Sequence, residues 1–367
     1  MIILDVKLDG IYGFNDFEIN FTYPKKVINS IIDAEHLTGR ERFRYKKVVI
    51  LTGANATGKT SLGRALLKII NFLNTGNQAV LCEMVAENYG SFSIDFVNEE
   101  YILHRVMADI DSAAGLVEIK YFTADIDKMD SYEKCIQKFV DRTDEATKTM
   151  NSLTKLVGHI SYRFAYPEIE TSLNLKNVDK QVFMKTLKAV IGTLDPTLKD
   201  VVISNDLKDT FIIRRGSKEI IIQEGKLLNR ELLSSGTAEG IDVAIFLASM
   251  LTSRKTFYYC DEHFSYIQSD IEKRIFGLML DRISDNEQLI FTTHNTDMLD
   301  LNLPKHSYMF LKKEQKGDSY KVSAISASDI LKRNTDSVRC AVENDVFGSI
   351  PDDSLLDELE KVIIDSL

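Results

Sequence analysis

The stretch Val48-Val49-Ile50-Leu51-Thr52-Gly53-Ala54-Asn55-Ala56-Thr57-Gly58-Lys59-Thr60 decides the fold. Its first four residues form a short apolar run that suits a buried parallel strand. From Thr60 onward Leu62, Leu66, Ile69 and Leu73 recur at helical spacing. Between strand and helix, Gly53 to Thr60 satisfies G-x4-G-K-[ST] in full. In such a loop glycines let backbone N–H groups close around phosphate oxygens at a helix N-terminus, a lysine adds a point charge and the hydroxyl suits Mg²⁺. The candidate phosphate cradle is thus Gly53, Ala54, Asn55, Ala56, Thr57, Gly58, Lys59 and Thr60, with Ser61 following. Lys59 is the charged group and Thr60 the candidate metal ligand.

Outward from this loop, the composition sets limits. The 367 residues are 44% hydrophobic and 27% charged, in the range of a globular protein. With 45 Lys+Arg against 55 Asp+Glu the net charge is -10, so the chain as a whole repels nucleic acid. Cys82, Cys135, Cys260 and Cys340 are scattered without a CxxC pair, and the six histidines show no metal-binding spacing. The longest near-apolar stretch, Val243 to Leu251, is about half of the roughly 20 residues needed to span a bilayer. No signal-peptide pattern follows Met1, and the expectation is a cytoplasmic protein without a membrane span.

Periodicity gives the organisation. Met1 to Phe21 reads as a two-stranded hairpin, residues 22 to 46 as irregular, and Ser91 to Val97, Tyr101 to Val106 and Val117 to Phe122 as an antiparallel meander. Ser131 to Val157 reads as charged helix, followed by a strand from Ile160 to Tyr166 and a helix from Asp179 to Ile191. Strands are expected at Val201 to Ser204, Thr210 to Arg214, Glu219 to Ile222, Thr256 to Cys260, Gln288 to Thr292, Ser307 to Lys312 and Ser319 to Ile325. Helices are expected at Ala238 to Thr252 and Ser269 to Arg282. Alternating strands and helices in both terminal thirds predict one discontinuous α/β unit. Its parts are residues 1–125, a helical insertion at 126–200, and residues 201–367.

Three further segments carry chemistry. Phe257-Tyr258-Tyr259-Cys260-Asp261-Glu262 is an apolar strand ending in two carboxylates. Alone such a pair is a common solvated strand end; beside a P-loop, Asp261 suits Mg²⁺ held through water and Glu262 suits the general base that polarises an attacking water. The strand Gln288 to Thr292 leads into Thr293-His294, where a histidine can sense a γ-phosphate. Leu233-Ser234-Ser235-Gly236-Thr237 precedes an apolar helix, and Ser234, Ser235 and Gly236 there offer outward donors for an anion, or a plain helix cap.

In this order the chain resembles the P-loop ATPase heads of the ABC type found in RecF, SMC and OLD-like proteins. More narrowly, Leu233 to Thr237, Asp261-Glu262, Gln288 to His294, the Lys312 to Tyr320 hairpin and Val346-Phe347-Gly348-Ser349-Ile350-Pro351 are similar to ATPases of bacterial abortive-infection and phage-defence systems. The resemblance implies an α/β P-loop NTPase head with an antiparallel β subdomain and a short helical insertion. It implies ATP and Mg²⁺ as ligands and hydrolysis with Glu262, His294 and Lys59 as the catalytic groups. It further implies a homodimer, or a larger homo-oligomer, in which Ser234, Ser235 and Gly236 of one head face the nucleotide of the other. The partner it implies is an effector, a nuclease or toxin, encoded nearby.

Several positions depart from the pattern. Gln268-Ser269 replaces a frequent His-Pro pair, and no glutamine follows the strand Ile160 to Tyr166, which runs into Pro167-Glu168. His263 reads as an exposed residue rather than a second phosphate contact. The alternative function is a RecF-like DNA maintenance ATPase, for which Arg40-Glu41-Arg42-Phe43-Arg44-Tyr45-Lys46-Lys47 offers alternating basic and aromatic residues, equally readable as a strand edge. No acidic cluster that would make the chain itself a nuclease follows His294. The amphipathic tail from Asp352 to Leu367 reads as a packing helix.

Overall fold

The computed structural model describes residues 1–26, 30–149, 151–166, 175, 178–198, 200–204, 206–317, 319–333, 335–349 and 356. The Pro167-Glu168 dipeptide, Ile350-Pro351 and, apart from Leu356, the expected tail helix from Asp352 fall outside them.

The central sheet has six strands in the order Tyr162–Ala165, Phe257–Asp261, Gln288–Thr292, Val48–Gly53, Tyr308–Lys316 and Ser319–Ser326. The first five are parallel to one another and the last is antiparallel to its neighbour. Strands far apart in sequence are neighbours here. The P-loop strand Val48–Gly53 lies between Gln288–Thr292 and Tyr308–Lys316, so the unit is discontinuous, as the alternation of elements predicts.

Side chains alternate across this sheet with period two, which divides the core between its faces. Val48, Ile50, Tyr258, Cys260, Leu289, Phe291 and Phe310 pack on one face against the helices Lys180–Leu194 and Ser235–Thr252. Val49, Leu51, Phe257, Tyr259, Ile290 and Leu311 face the other way, onto the P-loop helix Lys59–Thr75. This explains why the strands read as unbroken apolar runs: both faces are covered.

Beyond the P-loop helix stands a second, antiparallel sheet containing Ile2–Asp9, Phe17–Asn20 and the meander Tyr89–Val97, Ile102–Asp111 and Leu116–Asp125. A four-stranded antiparallel sheet, residues 200–228, flanks the opposite side. Its inward residues Val201, Phe211, Ile213, Ile220 and Ile222 join the core of the two helices.

Two sequence expectations are corrected. Ser131 to Val157 is not a continuous charged helix. It breaks into Tyr132–Cys135, Thr143–Thr147 and Ser152–Val157, with Val140–Asp141 added to the edge of the antiparallel sheet opposite Phe122 and Thr123. The cause is tertiary: Phe139 packs on Phe122 and lies under the Arg105 guanidinium, which draws this stretch onto the sheet. The segment 126–200 is accordingly not all helical, and its strand Tyr162–Ala165 belongs to the central sheet. Residues 22–46 are also less irregular than expected, since His36–Leu37 and Arg40–Arg44 form a small hairpin. No helix among the described residues is long and apolar enough to cross a membrane.

Candidate functional site

The carboxyl ends of the parallel strands converge on one cleft of about 770 Å³, lined by Gly53, Ala54, Asn55, Glu262 and His294 among others. In open parallel sheets this is where ligands bind. The P-loop turns at Gly58, whose φ of 101° is left-handed and whose Cα lies so near the Phe14 ring that a Cβ would stand 2.7 Å from it. A Cβ at Gly53 would meet the Leu311 carbonyl oxygen at 2.5 Å. Within the loop the Thr57 hydroxyl donates to Ala54 O at 2.8 Å, bracing its curvature. At the start of the helix, Tyr259 from the acidic strand donates its hydroxyl to Lys59 O at 2.7 Å.

Lys59 is buried and its ammonium lies at the mouth of the loop, donating to Gly53 O at 2.9 Å and Ala54 O at 3.2 Å. Glu262 Oε1 sits 3.3 Å from it and 2.8 Å from His294 Nε2. These three groups come from segments spread over more than 200 residues. Burial lowers the pKa of Lys59, with Glu262 opposing the shift. Burial alone would raise that of Glu262, but the hydrogen bond with His294 and the Lys59 charge bring it below its ordinary value. Glu262 is therefore an ionised acceptor at neutral pH.

Glu262 also has a φ of 45°, an unusual conformation for a residue with a Cβ. Its amide donates to Thr292 Oγ1 at 3.0 Å, and that same hydroxyl donates to Asp261 Oδ1 at 2.7 Å. One threonine thus holds both acidic residues, and the strained backbone turns the Glu262 carboxylate toward Lys59. Asp261 is fully buried. Burial raises its pKa, against hydrogen bonds from Thr60 and Thr292. Its Oδ2 has no hydrogen-bond partner among the described residues.

That orphaned oxygen beside the Thr60 hydroxyl fits a hard divalent cation such as Mg²⁺, which takes oxygen ligands and shares them with phosphate and water. No group of three or more His, Cys, Asp or Glu able to hold a metal occurs among the described residues. A cation here would draw on Thr60, Asp261, water and phosphate rather than on a protein cage.

Other residues were not flagged by the sequence reading. Glu272 is 2% exposed and accepts from Thr293 Oγ1 at 2.9 Å and Asn295 Nδ2 at 2.6 Å, which fixes the loop carrying His294. Ser269 and Asp297 extend this network at 2.7 Å, and Arg339 joins Asp297 at 3.1 Å. A signal was present: Glu272 occupies the buried stripe Glu272, Ile275, Phe276 and Met279 of its helix, where a lone acid needs a polar partner.

Ser234, Ser235 and Gly236 begin the helix Ser235–Thr252. Ser234 Oγ accepts from Thr237 N at 3.2 Å as an N-cap, and both serines are exposed. None of the three lines the cleft bounded by Gly53 to Asn55, Glu262 and His294 of the same chain. They do touch the loop after the acidic pair, because Tyr266 N donates to Glu239 Oε2 at 3.0 Å and Gly236 lies against Tyr266 O.

One expectation fails in this region. His263 is not exposed; it is 2% accessible, with burial lowering its pKa to about 4. The left-handed turn at Glu262 sends the carboxylate outward and the next side chain inward. Of the two readings of the basic and aromatic run before the P-loop strand, the structure bears out the strand edge, since Arg40–Arg44 is a strand of the small hairpin. Phe43 and Tyr45 are fully buried, as are Lys46 and Lys47, and Arg40 lies over the Tyr101 ring.

This arrangement is the fold of an ABC-type P-loop ATPase head. Among solved structures, an SMC head bound to the C-terminal winged-helix domain of ScpA superposes with a TM-score of 0.54 at 13% identity, over 90% of this chain and 100% of that one. A second Smc head, with an extended coiled coil and bound to the C-terminal domain of ScpA from Pyrococcus furiosus, gives 0.50 at 12% identity over 89% and 97%. At such identities the likeness is one of fold. No protein-family model matches the sequence, and no curated protein matches it.

Proposed function

We propose that this chain binds ATP with Mg²⁺ and hydrolyses it, working as a head that dimerises around the nucleotide. The convergence of Lys59, Glu262 and His294 at 3.3 and 2.8 Å carries the proposal. Backbone N–H groups of Ala54 to Thr60 and the Lys59 ammonium would hold the β- and γ-phosphates, favoured by the positive end of the helix Lys59–Thr75. Thr60 and Asp261 would hold the cation, which when bound neutralises phosphate charge. Glu262, kept ionised, accepts a proton from the attacking water; the one N–H of His294, held on Glu262 at 2.8 Å, would turn to donate to the γ-phosphate when nucleotide is bound.

Ser234 and Ser235 are exposed and, with the half-buried Gly236, lie outside the lining of their own cleft, which supports a role toward the nucleotide of a second copy. The cycle would then be a population shift: ATP favours the paired heads and hydrolysis separates them. A Ser235→Arg substitution should abolish turnover while leaving nucleotide affinity within about twofold, since Ser235 lies outside the cleft of its own chain. Undiminished ATPase activity in that variant refutes the shared site.

The partner of this cycle is, in our reading, an effector protein such as a nuclease or toxin in cytoplasmic anti-phage defence. The net charge of -10 and the burial of Phe43 and Tyr45 support a protein partner over DNA. Co-purification with neighbouring gene products, with and without ATP, tests this. A lone protein whose turnover DNA strongly stimulates would replace it with the RecF-like maintenance reading.

A further inference from the structure

An ammonium taken out of water needs an opposite charge or a full set of acceptors. Three lysines are buried among the described residues, and two of them have a carboxylate: Lys47 faces Asp285 Oδ1 at 3.7 Å and Lys59 faces Glu262 Oε1 at 3.3 Å. Lys46, 5% exposed, is the third. Its ammonium donates to Asn20 O at 3.0 Å and meets Met309 Sδ, a weak and uncharged acceptor, at 3.5 Å. One of its three N–H groups is left without an acceptor among the described residues. Burial pulls its pKa down to about 8, and the carboxylate that opposes the shift, Asp329, is exposed. The lysine cannot withdraw from this position, because its amide donates to Phe21 O at 2.6 Å and its carbonyl accepts from Gln288 Nε2 at 3.1 Å.

Lys46 lines a cavity of about 330 Å³ at the amino ends of the parallel strands Val48–Gly53 and Tyr308–Lys316, the edge of the sheet away from the P-loop. Ser326 and Ser328 line it too, with their hydroxyls 3.0 Å apart. One donates to the other, so one O–H proton of the pair remains for a ligand. Thr22 offers none, since its hydroxyl is committed to Asn20 Oδ1 at 2.6 Å. The geometry points to a second ligand site in this cavity, taking a small carboxylate whose oxygens accept from the Lys46 ammonium and the Ser326–Ser328 pair. Charge at the rim selects the singly charged anion: Glu133 and Asp329 stand there against Lys25, all exposed, and disfavour a doubly charged phosphate. Pro24, Met309 and Ala324 give the walls an apolar part for a short aliphatic body. The site shares no residue with the nucleotide cleft and does not depend on the ATPase reading.

Isothermal titration calorimetry of the whole chain with sodium butyrate at constant ionic strength, with sodium chloride as the control, reads the site. Wild type should bind butyrate saturably and show no saturable heat with chloride. Lys46→Met keeps most of the apolar stem without the charge and should weaken butyrate at least about tenfold. Ser328→Ala leaves Lys46 in place and should weaken it about threefold or more. If Lys46→Met does not fold, the comparison of Ser328→Ala with wild type decides. Wild type that does not bind butyrate saturably, or folded variants that bind it as tightly as wild type does, overturn the proposal. Inorganic phosphate that binds more tightly than butyrate overturns the choice of a carboxylate.

Discussion

Replacing Gly63 by alanine tests the packing that aligns the P-loop. Gly63 lies in the helix Lys59–Thr75, where alanine ordinarily stabilises by about 1 kcal/mol. Here a Cβ would stand 2.5 Å from Tyr259 Cε1 and 2.9 Å from its Cζ. That ring is fully buried, so it cannot swing into solvent. Overpacking of this kind costs about 1–3 kcal/mol. Displacing the ring also strains the hydrogen bond from Tyr259 to Lys59 O, a further ~1 kcal/mol. Set against the propensity gain, Gly63→Ala should destabilise by about 1–3 kcal/mol.

Gly277 is the internal control. It lies in the helix Ser269–Arg282 with nothing within 4 Å of an added Cβ, so Gly277→Ala should stabilise by about 1 kcal/mol. Urea unfolding of both variants measures the contrast. Because Lys59 O anchors the end of the loop where the helix begins, Gly63→Ala should also weaken ATP binding, which Gly277→Ala should leave alone. A Gly63→Ala protein as stable as Gly277→Ala, with wild-type nucleotide affinity, would falsify the account of how the acidic strand positions the lysine.

Further outcomes follow from the same geometry. Glu262→Gln should lower single-turnover hydrolysis by about 10²–10⁴ while ATP still binds, because the amide cannot take the proton of the attacking water; hydrolysis at the wild-type rate removes Glu262 as the base. His104 is fully buried between Phe96 and Tyr121, and burial holds its pKa at about 4 against an ordinary 6.5. Its neutral ring therefore contributes stability that is complete above pH 6.5 and lost as pH falls toward 4, up to about 3 kcal/mol. Asp5, raised to about 6 by burial, acts with the opposite sign, so the His104 share is read as a difference. The gap in unfolding free energy between wild type and His104→Phe should shift by roughly 2–3 kcal/mol between pH 7 and pH 4.5. A gap that stays constant across that range contradicts it.

The central sheet was legible because its signals are local. Val48 to Leu51 and Phe257 to Cys260 are apolar runs bounded by glycine or acid, and the helix Ser269–Arg282 and strand Gln288–Thr292 have the limits that the sequence predicts. Phosphate-loop chemistry is likewise written in adjacent residues. What the sequence did not show depends on contacts between distant segments. Phe139 leaves a charged, helix-like stretch to pack on Phe122, and Val140, which a helical stripe would bury, is exposed. His263 turns inward through the left-handed backbone of Glu262, a conformation that residue type does not announce. Alternating basic and aromatic residues at 40–47 carry the same pattern whether the rings meet bases or a core, and here Phe43 and Tyr45 meet the core.

The placement of Val48–Gly53 has a consequence for how the molecule is made. Its two partners in the sheet begin at Gln288 and Tyr308, so the phosphate loop emerges during synthesis with both strand edges unpaired. An unpaired apolar strand invites wrong pairing, and contacts this far apart in sequence close slowly. The antiparallel sheet built from Ile2–Asp9 and Tyr89–Val97 needs only early residues and packs on the same helix. It offers the nascent P-loop helix a surface to rest on until the acidic strand arrives. A chain that ends before His294 cannot complete the constellation around Lys59, since Glu262 and His294 both come from the last third of the sequence.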